Sequence, residues 1–187
     1  MSPLVVAQRI VHNACLREGT YMVVYRLFIA SSINEFRAER NKLVHFFSKL
    51  SRAAGEVEFV PFICEQASKA LSRGRKQGDY NRKIWESDLF VLLAGSSVGQ
   101  YSLEELNVAL EAERQTKKPA IRCYYLEDLP PELADPARFP VVPTHVEDVY
   151  DLERDLLEQF SEELGIGEPE TLDDDVFLNG TYLFSLG

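Results

Sequence analysis

The run Leu89 to Ala94, LFVLLA, carries no polar side chain and leads directly into a loop holding Gly95, Ser96, Ser97 and Gly99. A continuous apolar run bounded by turn residues suits a strand buried on both faces, as an inner strand of a parallel sheet is. Beyond the loop, Ser102 to about Thr116 has helical patterning. Ser102 followed by Glu105 reads as a capping box, in which the serine caps backbone amides and the glutamate reaches back. This strand, loop and helix set a carboxylate beside a glycine- and serine-rich loop at the carboxyl end of a buried strand, where ligands bind in open α/β sheets. Two readings of Glu105 stay open, a helix cap and a reacting group.

The segments on either side repeat the alternation. Met22 to Ala30, MVVYRLFIA, is rich in β-branched and aromatic residues and ends at Ser31 and Ser32, which marks a first strand. Phe36, Leu43, Phe47 and Leu50 then recur at helical spacing, predicting a helix from about Glu35 to Ala54 that Gly55 closes. Val57 to Ile63 gives a second strand. Cys64 to Gly78 is polar and weakly patterned, either a long loop or a short helix, and Tyr80 to Glu86 looks like a helical turn feeding the apolar run. Lys117-Lys118-Pro119 breaks the helix after the central loop, and Ala120 to Leu126 makes a fourth strand. Glu127 to Pro140 is irregular, holding four of the nine prolines. Val141 and Val142 suggest a short fifth strand, and Val149 to Leu164 a last helix.

Strands alternating with helices call for a parallel sheet covered on both faces. The expected fold is α/β, a flavodoxin-like three-layer sandwich of about five parallel strands in the order 2-1-3-4-5. Its switch point lies between the first and third strands, bringing Ser31 and Ser32 beside the segment from Gly95 to Glu105. Residues 1–21 are expected to form a helical extension, with apolar positions from Leu4 to Leu16. The α/β domain spans 22–166, and 167–187 hold an acidic linker and, around Asn179-Gly180, a hairpin signal.

Composition narrows the partners. A formal net charge of -10 on 187 residues opposes a sequence-independent grip on nucleic acid. The one basic group, Lys69, Arg73, Arg75, Lys76, Arg82 and Lys83, reads as a solvated face or a phosphate contact. Cys15, Cys64 and Cys123 show no metal-ligand spacing and read as reduced thiols of a cytoplasmic protein, Cys123 as a core residue. No stretch reads as a membrane span or secretion leader. Trp85 and Asp88 fall at the end of the sheet opposite the cleft, Glu39 and Arg40 read as surface pairs, and the three histidines have no telling partners.

Three segments taken together resemble the TIR-like superfamily, in particular its bacterial branch at the front of multidomain ATPases. They are RLFIASSINEFRAERNKLVHFF, IWESDLFVLLAGSSVGQYSLEELNVALE and KKPAIRCYYLED, and the resemblance covers roughly Tyr25 to Asp128. It implies cleavage of the bond between nicotinamide and ribose in NAD, which serves as substrate, with no cofactor. In catalytic members the essential glutamate lies in the form (aromatic)-x-x-x-E-(aliphatic)-x-x-A, whose places are filled here by Tyr101, Glu105, Leu106 and Ala109. Tyr101 stands where the family often has tryptophan, and the family's cysteine-containing loop has no counterpart.

The resemblance makes Glu105 the catalytic candidate, and the cleft expected from the strand order is built from Ser31, Ser32, Gly95, Ser96 and Tyr101, the substrate-binding candidates. The resemblance also implies activation by self-association and a role in bacterial defence or signalling. Two alternatives stand beside it. One is a non-catalytic TIR-like scaffold. The other is a nucleoside deoxyribosyltransferase-like enzyme, which needs a second acidic residue near the sugar, for which Glu35 is the nearest candidate.

Overall fold

The computed structural model describes residues 14–17, 20–32, 35–54, 56–63 and 76–164. In chain order the elements are β1 (Ala14–Arg17), β2 (Thr20–Ser31), α1 (Arg37–Ala54), β3 (Val57–Ile63), α2 (Lys76–Trp85), β4 (Leu89–Ala94), α3 (Gln100–Thr116), β5 (Ala120–Tyr125), β6 (Thr144–His145) and α4 (Val149–Leu164). The five parallel strands run β3-β2-β4-β5-β6, which is the order 2-1-3-4-5 of a flavodoxin-like three-layer α/β fold. The expected fold class is observed.

Residues 14–17, placed by the sequence in a helical extension, form a strand instead. β1 pairs antiparallel with β2, from Ala14 opposite Val23 to Arg17 opposite Thr20. Only Glu18 and Gly19 separate the paired residues, a spacing that favours a hairpin over continuing a helix. Residues 20 and 21 of that extension begin β2, and its remaining residues, most of the Cys64–Gly78 segment, and the acidic linker with its Asn-Gly signal lie outside the described residues. The fifth strand sits three residues later than expected, at Thr144–His145, and Val142 is 87% exposed.

Contacts divide the chain into two compact units, one of residues 1–25, 43–60 and 150–187, the other of residues 26–42 and 61–149. The first is built on aromatic packing. Phe160 meets Tyr25 edge-on at 5.5 Å, Phe59 at 4.9 Å and Phe47 at 6.0 Å between ring centroids. Ser51 ties the same region together, its hydroxyl accepting from Phe59 N at 2.8 Å and donating to the Phe47 carbonyl at 2.9 Å. Phe160→Leu keeps most of the apolar volume but loses these ring pairs. It is expected to cost about 1–2 kcal/mol, read as a lower urea midpoint at unchanged slope.

The second unit is organised around β4. Every residue of Leu89–Ala94 is buried. β4 lies between β2, where Leu27 to Ser31 pair with Leu89 to Leu93, and β5, where Ala120 to Tyr125 pair with Leu89 to Ala94. The core joins Phe28, Phe90 and Leu92 to Leu106, Ala109 and Leu110 of α3. Cys123 belongs to this core, and burial pushes its thiol up to about 12. At the amino ends of the strands, Asp88 accepts from Arg26 N at 2.9 Å and from Lys118 Nζ at 2.6 Å. Asp88 therefore clamps β2 to the turn before β5, at the end of the sheet away from the switch point. Trp85, at the end of α2, is 38% exposed.

Candidate functional site

The carboxyl ends of β2 and β4 are neighbours, since Ser31 pairs with Leu93. The expected switch point is therefore present. After β4 the loop is brief. Gly99, with φ -61° and ψ 148°, ends it in extended backbone, and α3 starts at Gln100.

This start corrects the capping box. The helix opens two residues before Ser102, and no side chain hydrogen-bonds at its cap. Ser102 and Glu105 fall inside the helix, on the buried stripe that includes Leu106 and Ala109. A serine-x-x-glutamate spacing caps a helix only when the serine sits outside the first turn. Here the loop is too short to leave it there.

Glu105 is thus not a cap. It stands in the second turn of α3, roughly 8 Å along the helix from its first residue. It is 8% exposed, and among the described residues no hydrogen bond or ion pair reaches its carboxylate. Burial, reinforced by the negative charge of Glu104, pushes its carboxyl up to about 7. Glu104 itself faces solvent and accepts from Gln100 Nε2 at 3.0 Å. The two adjacent glutamates are sorted by the helix turn, one outward and one inward, as the 3.6-residue period requires.

At the end of β2, Arg40 is the residue that the sequence reading missed. Taken there as one of a surface pair, it is fully buried at 0% exposure. Its Nη1 donates to Ser31 Oγ and to the Ser32 carbonyl, both at 2.6 Å. The signal was present in the helix period, for Phe36, Arg40, Leu43, Phe47 and Leu50 share one face. Ser31 is buried with its hydroxyl engaged by Arg40, and Ser32 is partly exposed.

The remaining candidates are spread around the loop after β4. Gly95 is buried, and a methyl group added to it would lie 2.6 Å from Glu35 Oε1 and 3.5 Å from the Phe36 ring. Ser96 is exposed, and its N–H donates to Glu127 Oε2 at 3.2 Å. Val98 N–H donates to Glu132 Oε2 at 3.4 Å, so the segment after β5 braces this loop. Tyr101 is 74% exposed on the first turn of α3, so it is not a packing residue.

No protein-family model matches the chain, and no curated protein sequence does. Among solved structures, the chain is similar to the Clostridium botulinum CMP N-glycosidase BcmB, with a TM-score of 0.50 and 15% identity. The match covers 72% of this chain and 98% of that one. At this identity the likeness is one of fold. Among the described residues, no helix is long and apolar enough to cross a membrane.

Proposed function

We propose that the protein hydrolyses the N-glycosidic bond of a nucleotide at the switch point of its sheet, with Glu105 at the sugar. The observation that carries this is the Glu105 carboxyl, buried and lacking any hydrogen bond or ion pair among the described residues. Buried carboxylates are ordinarily paired, and strongly perturbed ones gather at functional sites. As the bond from C1′ to the base nitrogen breaks, its electron pair leaves with the base and positive charge builds on the ribose ring. A carboxylate facing that ring stabilises the charge, and water completes the reaction by adding at C1′ and losing a proton.

The shared fold with a CMP N-glycosidase supports a nucleotide as the class of substrate. The TIR-like resemblance favours NAD within that class, together with activation by self-association and a role in bacterial defence. The two kinds of substrate make opposite demands on Glu105. Nicotinamide leaves its pyridinium as a neutral molecule, so the ionised carboxylate is the competent form. Cytosine leaves CMP as an anion unless it receives a proton; with that substrate Glu105 would act as the acid on the base rather than as the carboxylate at the sugar, and its protonated form is the competent one.

With the Glu105 carboxyl raised to about 7, this difference falls in an accessible range. Release of nicotinamide from NAD is expected to rise between pH 6 and 8, whereas release of cytosine from CMP would fall over the same interval. Both are measured by chromatography of the freed base at high protein concentration. Absence of both bases from a sample shown to be assembled would overturn the proposal.

A further inference from the structure

From the approach of Glu35 to Gly95 at the end of the central strand, we infer that Glu35 is a second substrate-contacting carboxylate, selecting ribose over 2-deoxyribose through the 2- and 3-hydroxyls of the sugar. This rests on the proposed nucleotide reading and adds to it the sugar class.

The position is specific. Glu35 lies in the turn between β2 and α1, yet its Oε1 comes so close to Gly95 that a side chain at 95 would occupy its place. The glycine therefore leaves room for a carboxylate directly over the carboxyl end of β4, at the switch point where ligands bind in this class of sheet. Glu35 is exposed, and among the described residues its oxygens accept no hydrogen bond and join no ion pair. Its acceptor sites are open to an incoming ligand. A carboxylate accepts two O–H donors side by side, which matches the cis-diol of ribose and leaves 2-deoxyribose one donor short.

Gly95 also supplies a clean control. The atom a new methyl would displace is the far end of the flexible Glu35 side chain, so Gly95→Ala moves the carboxylate and preserves the strand. Glu35→Ala removes the carboxylate outright from an exposed site, where substitutions change stability little.

Binding of ribose 5-phosphate and of 2-deoxyribose 5-phosphate, by titration calorimetry on the full chain, tests the inference without requiring turnover. The parent is expected to prefer the ribose compound roughly 10- to 100-fold, the range for a hydrogen bond to a charged group. Glu35→Ala and Gly95→Ala should both bring that preference close to one, with unchanged circular dichroism. A preference that survives both substitutions overturns the role of Glu35, as does a parent that binds neither sugar phosphate. Base release from NAD and CMP is read separately. Release by the parent with no effect of Glu35 leaves the nucleotide reading standing without this inference, while Glu35-dependent binding without release leaves the sugar site and removes the reaction.

Discussion

Replacing Glu105 by glutamine is expected to cut base release by about 10³-fold while making the fold more stable at pH 8. Glutamine keeps the shape of the side chain and removes the charge, so the two effects separate chemistry from packing. In the folded protein the carboxyl is held at about 7, against 4.5 as its ordinary value, mainly because burial penalises the ionised form. The native state therefore binds this proton more tightly than the unfolded chain. Stability is fully present below about pH 4.5 and is lost as pH rises through 7. At pH 8 the ionised carboxylate costs about 3 kcal/mol, which glutamine does not. Urea unfolding of parent and variant at pH 5 and pH 8 checks this. The variant should lie within about 1 kcal/mol of the parent at pH 5 and exceed it by about 3 kcal/mol at pH 8. Equal midpoints at both values would mean that Glu105 is solvated or paired, and would remove it from its assigned role.

The second large effect is expected at Arg40, where alanine should destabilise the fold by about 3–4 kcal/mol. Arg40 is among the largest fully buried side chains. Its removal leaves a cavity and takes the donor from both the buried Ser31 hydroxyl and the Ser32 carbonyl. Arg40→Met refills much of the volume without restoring a donor. It is expected to recover at least half of the lost stability, while base release stays low because Ser31 and Ser32 are no longer held. Thermal and urea melts of both variants, with turnover measured on whatever folds, decide the matter. An alanine variant with the parent's midpoint would show that solvent takes over both hydrogen bonds and that Arg40 holds nothing in place.

Glu105 and Arg40 also mark where the sequence was easy and hard to read. The strand of Leu89–Ala94 was legible because a strand buried on both faces can carry no polar residue, and alternating units of this kind permit few topologies. The cap at Ser102 was misread because helix boundaries depend on how short the preceding loop is, and a Ser-x-x-Glu pattern occurs inside helices as readily as at their ends. Arg40 was misread because a charged residue is ordinarily solvated. Its place on the apolar face of α1 was visible, but its partners lie eight and nine residues away in the preceding strand and turn.

By itself the sequence determined the layers, the order of the strands and, with them, the position of the switch point. Those follow from local periodicity and from the handedness of parallel crossovers, which each segment carries in its own residues. Only the tertiary structure decided that Glu105 is buried with no partner among the described residues, that Arg40 grips Ser31 and Ser32, and that Glu35 lies over Gly95. Burial and pairing depend on what other segments bring to the same point in space. Segments distant along the chain meet only when the sheet has formed.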